Sequence, residues 1–304
     1  MLVTAADLAA QAMELLADYE VVFAGKTPTE DDIVGLCGAH DPAGIIVRYS
    51  NVGEAAMAAA PSLRVISKHG SGTDTIDKEA ALARGIEVRA AAGVNAAAVA
   101  EQAMALLLAC AKSVVQLDRR MRAGHWDKAT HRSLELNGRT LGLVGLGAIG
   151  VRFARMAAAM DMRVIGYDPY AKDVPDFIER VDLSTIWREA DAISLHCPLT
   201  AENRKLVNGG TLACCKKGVL LVNTARGGLV DEDALLNAIR NRHVAAAGLD
   251  SFAVEPMAAG HPFQHEPNVV LSPHIGGVTS DAYVNMGVAA VRNARNVIEG
   301  AMKL

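Results

Sequence analysis

Short runs rich in Val, Ile and Leu alternate along most of the chain with alanine-rich runs of helical spacing. This is the pattern of an α/β protein built on parallel sheets. Early strands are predicted at Leu2–Thr4, Val21–Ala24, Ile45–Arg48, Val65–Lys68 and Ile86–Arg89. Helices are predicted between them at Ala6–Tyr19, Asp31–Leu36, Gly53–Ala60 and Lys78–Ala83, with Pro61 and Gly85 punctuating element ends. A long helical pattern then runs from about Ala96 to Ala123, with Asn95 placed to cap its start and Gly124 just past its end. Its first half carries few charges, so it should be buried between domains or subunits. A second strand series follows at Thr140–Val144, Arg163–Tyr167, Ala192–His196, Val219–Asn223, Val244–Leu249 and Val269–Leu271. Asp281–Ile298 reads as one closing helix.

Composition narrows the function classes without choosing among them. With 30 basic against 34 acidic residues the formal charge is −4, which gives no reason to propose nucleic acid or a membrane surface as partner. A hydrophobic content of 51% excludes disorder, and an aromatic content of 4% excludes an aromatic-rich recognition surface. The five cysteines form no C-x-x-C pair, and an odd count argues against a disulfide framework. Cys214 and Cys215 read as buried small hydrophobes. The most apolar segment, Ala96–Ala111, is interrupted by Glu101 and Gln102, and the first Lys is Lys26, which leaves no basic region for a secretory signal. The expectation is a cytoplasmic globular protein. No two His or Cys stand at ligand spacing with a third partner, so no metal is expected.

The first specific signal lies at Leu143-Val144-Gly145-Leu146-Gly147-Ala148-Ile149-Gly150. Here G-x-G-x-x-G directly follows a strand; a helix over Val151–Met160 and a strand ending at Asp168 come next. A glycine string alone is weak, but strand, turn, helix, strand and then an acid about 20 residues on is the dinucleotide-binding arrangement. Gly145 permits the tight turn, Gly147 lets backbone approach a pyrophosphate at the helix N-terminus, and Gly150 lets helix and strand pack closely. Asp168 would accept hydrogen bonds from the adenosine ribose and repel a 2′-phosphate. Pro169-Tyr170 stand where an NADP enzyme would want Arg, so NAD is the expected cofactor. The fold expectation is therefore a Rossmann NAD-binding domain over 95–277, inserted into a flavodoxin-like substrate domain formed by 1–94 plus 278–304.

Four later segments place polar residues at predicted strand ends. They are His196-Cys197-Pro198-Leu199-Thr200, Asn223-Thr224-Ala225-Arg226-Gly227-Gly228, Gly248-Leu249-Asp250-Ser251-Phe252 through Glu255-Pro256, and Ser272-Pro273-His274-Ile275-Gly276-Gly277. In an open parallel sheet, ligands bind outside the carboxyl ends of the strands, so an Arg, an acid and a His converge on the nicotinamide end. Taken singly, Arg226 reads equally as a loop cation, Glu255 as a turn acid and His274 as a core histidine. Taken together they form a hydride-transfer site.

With these motifs the sequence resembles the D-isomer-specific 2-hydroxyacid dehydrogenase family, from Lys68-His69-Gly70-Ser71-Gly72-Thr73-Asp74 to the final helix. The resemblance implies that Arg226 binds the substrate carboxylate and carbonyl, that His274 is the acid and base, and that Glu255 assists it. It implies cofactor contacts from Ala148, Ile149, Pro169, Cys197, Pro198, Thr224, Ala225, Arg226, Asp250, His274, Gly276 and Gly277, beside the three glycines and Asp168. It implies substrate contacts from Ser71 and Gly72. Arg48 matches a position where phosphoglycerate enzymes of the family carry a phosphate-binding Arg, although a solvated strand-end cation is the plainer reading.

The implied activity is NAD(H)-dependent interconversion of a small D-2-hydroxy acid and its 2-keto acid, of the glyoxylate/hydroxypyruvate or 3-phosphoglycerate type. The implied assembly is a homodimer. Ala148 stands where many relatives carry Arg, and Asn203 where they often have Thr. The regulatory domain of the longest phosphoglycerate dehydrogenases is expected to be absent. Formate oxidation is disfavoured because those enzymes pair the His with Gln, not Glu. The alternative is a non-catalytic NAD(H)-sensing protein of the same fold, akin to the family's corepressors, which retain the same three residues.

Overall fold

The computed structural model describes residues 1–300; positions 301–304, assigned above to the first domain, lie outside the described residues. The chain divides into two compact units, one of Met1–Asn95 with the segment from Gly277 onward, the other of Ala96–Gly276.

The first unit is a five-stranded, wholly parallel sheet of β1 (Leu2–Val3), β2 (Val22–Phe23), β3 (Gly44–Val47), β4 (Val65–Lys68) and β5 (Glu87–Ala90), in the order β2-β1-β3-β4-β5. Its connections are α1 (Ala10–Glu14), α2 (Glu30–His40), α3 (Glu54–Ala58) and α4 (Lys78–Ala83). A capping box starts α2: Thr29 Oγ1 accepts from the Asp32 amide at 3.2 Å, and Asp32 accepts from the Thr29 amide at 2.9 Å. The helix predicted at Ala6–Tyr19 shrinks to α1. Nothing caps its start through a side chain, and residues 5–9 stay outside any helix, with Leu8 buried and Asp7 paired to Arg48.

The second unit opens with α5 (Ala96–Lys112) and α6 (Val114–Arg122), where the sequence pattern predicts one helix. Ser113 adopts φ +53° and the two axes bend by 61°. The reason lies in the side chains. The α5 face is buried down to Ala111, whereas α6 buries nothing and carries Asp118, Arg119, Arg120 and Arg122, which belong in water. Among the described residues no single helix is long and apolar enough to cross a membrane.

Seven parallel strands follow: β6 (Thr140–Val144), β7 (Arg163–Tyr167), β8 (Ile178–Arg180), β9 (Ala192–Leu195), β10 (Val219–Asn223), β11 (Val244–Leu249) and β12 (Val269–Leu271). Their order is β12-β11-β10-β9-β6-β7-β8. The edge strand β8 is absent from the sequence expectation because it is three residues long and buries only Ile178. Helices α7 (Ala148–Ala158), α8 (Leu183–Glu189), α9 (Gly209–Ala213) and α10 (Glu232–Arg240) complete the unit.

One face of this sheet packs Leu141, Leu143, Leu220 and Val222 with Leu107 of α5 and Phe153 of α7. The other packs Ile193, Leu195 and Leu221 with Ile186, Leu235 and Ile239. Such β-rich apolar runs, buried on both faces, are what parallel sheets require. Of the adjacent cysteines, Cys215 is buried but Cys214 is exposed, which corrects the reading of both as core residues.

The chain returns to the first unit through α11 (Ser280–Ile298), capped by Thr279 Oγ1 accepting from the Ala282 amide at 3.1 Å. Ala290, Val291 and Ala294 of α11 close one face of that sheet over Val3, Ile46 and Val65.

Leu107 is fully buried in the second unit. Leu107→Ala should lower unfolding free energy by about 2–5 kcal/mol through lost burial and the cavity left behind, measured by urea denaturation. A loss below about 1 kcal/mol would show that this face is not closely packed.

Candidate active site

In the second unit the carboxyl ends of β6, β7, β9, β10, β11 and β12 carry every polar residue singled out there in the sequence. The glycine turn between β6 and α7 is held by contacts that exclude a side chain. Gly145 sits at φ +101°, and a Cβ there would lie 2.6 Å from the His196 carbonyl carbon and 2.7 Å from the Cys197 nitrogen. At Gly147 a Cβ would meet nothing within 4 Å, so backbone at the start of α7 faces open space. The Gly145 amide donates to the Tyr167 carbonyl at 2.8 Å, fixing the turn to β7.

Asp168 braces the same turn. One carboxylate oxygen accepts from the Leu146 amide at 2.9 Å, the other from the amides of Tyr170 and Ala171 at 2.8 and 3.1 Å. A carboxylate has about four acceptor positions, so Asp168 keeps capacity for a hydroxyl donor. Uncapped amides at the start of an eleven-residue helix, open space over Gly147 and an acid beyond the next strand fit a dinucleotide. Thr224 Oγ1 and Ser251 Oγ are buried without partners among the described residues, which leaves two hydroxyls at this rim to meet a ligand.

After β9, His196 is partly buried. Its Nε2 lies 2.9 Å from Ser194 Oγ, its ring packs on Phe153, and burial pushes its pKa down to about 3, so the ring is neutral. Burial pushes the Cys197 thiol up to about 11, which keeps it protonated. Asn203 braces this turn, donating to the Pro198 carbonyl at 2.7 Å and accepting from the Thr200 amide at 2.7 Å.

The turn after β10 is set by a residue that sequence reasoning quoted but did not assign. Asn223 Oδ1 accepts from the Ala225 amide at 3.0 Å, and its Nδ2 donates to the Arg226 carbonyl at 2.9 Å. The Arg226 guanidinium donates to the Ala225 carbonyl at 2.7 Å. Gly227 presses on the Phe252–Ala253 backbone with no room for a Cβ, so this turn and the one after β11 are locked together. In the latter, Glu255 Oε1 accepts from the Phe252 amide at 2.8 Å, while Glu232 Oε1 holds the Ala253 amide at 2.9 Å.

His274 lies beyond β12 in a left-handed conformation, φ +54°, which is uncommon for a residue with a Cβ. The buried Asp250 carboxylate imposes it: it accepts from the Ile275 amide at 3.0 Å, the Gly276 amide at 2.8 Å and the Ser272 hydroxyl. Gln102 of α5 donates to the same hydroxyl at 3.0 Å. Asp250 and Gly276, expected as cofactor contacts, are thus joined to each other, and Ser272 and Gln102 are supports the sequence did not reveal.

His274 Nδ1 lies 2.7 Å from Glu255 Oε2. That hydrogen bond raises the His274 pKa above its ordinary 6.5, against the opposing effects of burial and the Arg226 charge. Burial pushes Glu255 up, but hydrogen bonds from His274 and the Phe252 amide outweigh it, so Glu255 stays below the ordinary range. The field of Arg226 reaches both residues. An imidazole tied to a carboxylate beside a guanidinium can trade a proton with a bound oxyanion or carbonyl.

In the first unit, Ser71 Oγ donates to Asn95 Oδ1 at 2.8 Å. Gly72 lies in the same loop after β4. Arg48, after β3, is 15% exposed in its side chain; it pairs with Asp7 at 3.1 Å and lies over the rings of Tyr49 and Tyr283.

A dinucleotide turn and a polarised Arg–His–Glu set on one parallel sheet define a nicotinamide-dependent oxidoreductase. Comparison with known proteins makes this specific. Residues 104–276 match the model of the D-isomer specific 2-hydroxyacid dehydrogenase, NAD binding domain. The chain is 42% identical over 235 residues to a hydroxypyruvate reductase of Thermotoga maritima, covering 77% of each chain. It is 39% identical over 260 residues to a D-3-phosphoglycerate dehydrogenase of Archaeoglobus fulgidus, covering 84% of this chain but 49% of that one. This chain therefore aligns with about half the length of that relative. A crystal structure of a protein from Thermus thermophilus superposes with a TM-score of 0.90 at 36% identity, covering 98% of this chain and 96% of that one. The chain belongs to the D-isomer specific 2-hydroxyacid dehydrogenases.

Because Gly145 combines positive φ with backbone on its Cβ side, Gly145→Ala should cost about 2–3 kcal/mol in urea unfolding. Gly147→Ala, facing open space, should cost under about 1 kcal/mol. Equal costs would contradict this account of the turn.

Proposed function

We propose that the protein interconverts a small D-2-hydroxy acid and its 2-keto acid with NAD(H), using Arg226, Glu255 and His274. The observation that carries this reading is the 2.7 Å pair between His274 and Glu255 within the field of Arg226. NADH, when bound along the Gly145–Gly150 turn, supplies the hydride that reaches the keto carbon. Arg226 holds the substrate carboxylate and polarises the keto oxygen, as a planar guanidinium does well. Protonated His274, with Nδ1 on Glu255, gives its Nε2 proton to that oxygen as the carbon is reduced. The products are the hydroxy acid and NAD⁺, with one proton consumed. In the oxidative direction neutral His274 takes the hydroxyl proton.

Asp168, its carboxylate fixed by three amides, favours the ribose hydroxyls of NAD over a 2′-phosphate. Ser71 and Gly72 contribute substrate contacts from the carboxyl rim of the first unit. The reading follows from membership of the family and from the reductase and dehydrogenase activities named for its relatives. We further propose a homodimer working in the cytoplasm, as the family resemblance of the sequence implies.

His274→Ala should lower kcat for keto-acid reduction by about 10²–10⁴-fold while NADH binding, followed by fluorescence, persists. No turnover by the wild-type protein with any 2-keto acid, despite tight NADH binding, would overturn the enzymatic reading in favour of a cofactor-sensing one.

The pH dependence has a definite sign. Reduction needs the imidazolium, so kcat/KM should fall as pH rises through the raised His274 pKa. Glu255→Gln removes the carboxylate that raises it, so this limb should move to lower pH. An unmoved limb in that variant would assign the titration to another group.

A further inference from the structure

The carboxylate proposed to assist His274 stands in a loop with little packing of its own. Residues 253–256 are exposed, and of the side chains between the buried rings of Phe252 and Phe263 it is Met257 that packs against the core. Where apolar contacts are this few, polar bonds decide where a loop sits.

Glu232, in the first turn of α10, ties the two ends of this loop together. Its Oε1 accepts from the Ala253 amide at 2.9 Å, and its Oε2 lies 3.5 Å from His261 Nε2. His261 is itself anchored: its Nδ1 accepts from the Phe263 amide at 3.3 Å, and its ring packs on Phe263 with 5.1 Å between centres. Because Nδ1 accepts, the proton of the neutral ring stands on Nε2, facing Glu232.

The Ala253 end adjoins the chemistry. The amides of Phe252 and Ala253 are consecutive, yet they serve two different carboxylates, Phe252 that of Glu255 at 2.8 Å and Ala253 that of Glu232. Gly227 lies against the same peptide and limits how close the two turns come, without fixing which way its N–H points. We infer that Glu232 is a positioning residue, holding the Phe252–Ala253 peptide so that Glu255 keeps its hydrogen bond to His274. The inference rests on the roles proposed above for Glu255 and His274, and adds a residue that acts on them through the backbone.

A carboxylate in the first turn of a helix also has a plainer use, against the helix dipole. Asp233, exposed in the same turn, has that use as well, so the two residues separate the readings. Loosening Glu255 has a signed consequence that the dipole does not share. The Glu255 hydrogen bond is the largest influence raising the His274 pKa; the Glu255 and Asp250 charges act in the same sense, and burial and Arg226 oppose them. Asp250 is held by the amides of Ile275 and Gly276, so loss of Glu232 weakens the Glu255 contribution and lowers the His274 pKa.

The test follows the His274 imidazole by NMR across a pH titration, beside the pH profile of kcat/KM for hydroxypyruvate reduction with NADH. It compares the wild type with Glu232→Ala, Glu232→Ser, Glu232→Gln and Asp233→Ala. In Glu232→Ala and Glu232→Ser both profiles should move to lower pH, in the direction given by Glu255→Gln, and kcat should fall by roughly tenfold or more. Glu232→Gln keeps an oxygen for the Ala253 amide and should retain most of the wild-type rate, while Asp233→Ala should match the wild type. An unmoved His274 titration in the folded Ala and Ser variants, an equal shift in Asp233→Ala, or a Gln variant as impaired as Ala would overturn the positioning role. The imidazole titration needs no turnover, so it decides the role of Glu232 by itself. Absence of turnover by the wild type with hydroxypyruvate and other 2-keto acids would instead overturn the dehydrogenase reading.

Discussion

A buried carboxylate, that of Asp250, holds the second unit's site together. From the end of β11 it reaches the next strand's turn, taking the amides of Ile275 and Gly276 and the hydroxyl of Ser272. A buried charge with fewer partners would be costly, so the turn is driven to close around it. Closing the turn twists His274 into a left-handed backbone and delivers its ring to Glu255. Glu255 is in turn fixed by the Phe252 amide, two residues beyond Asp250. One anion thus sets the orientation of the histidine, and a second sets its charge.

The same device recurs along the rest of the rim. Asn223 shapes the Arg226 turn, Asn203 the Cys197–Thr200 turn and Asp168 the glycine turn, in each case by side-chain bonds to local backbone. Turns built this way do not need bulky side chains for rigidity. That accords with a chain of only 4% aromatic residues whose functional loops are backbone-lined.

The fold class was legible because parallel strands buried on both faces leave unmistakable apolar runs: β4, β6, β7, β10, β11 and β12 coincide with the sequence expectation residue for residue. What escaped was decided by tertiary contacts. β8 is too short and too exposed to register as a pattern, and the Ser113 break depends on where the sheet stops covering α5, which spacing alone does not reveal. Within the site, Arg226, Glu255, His274 and the glycines stood out through motif and resemblance. The supports Asn223, Gln102 and Ser272 did not, because an amide or hydroxyl that bonds a neighbouring turn carries no spacing signature. Arg48 was visible as a strand-end cation, but its partners Asp7 and Tyr283 lie 41 residues before it and far along the chain in α11, beyond the reach of any local pattern.

The interrupted chain path of the first unit bears on the order in which the protein can form during synthesis. Strands β1 to β5 leave the ribosome before the second unit, yet Val3, Ile46 and Val65 receive their cover from Ala290, Val291 and Ala294 of α11, which is made after that unit. The first sheet must therefore wait with one apolar face incomplete while the entire second unit, whose core draws only on its own continuous stretch, is translated and folds. Vectorial synthesis makes the cofactor-binding unit the earlier one to mature, and leaves the first-made sheet the part of the nascent chain most in need of protection from association.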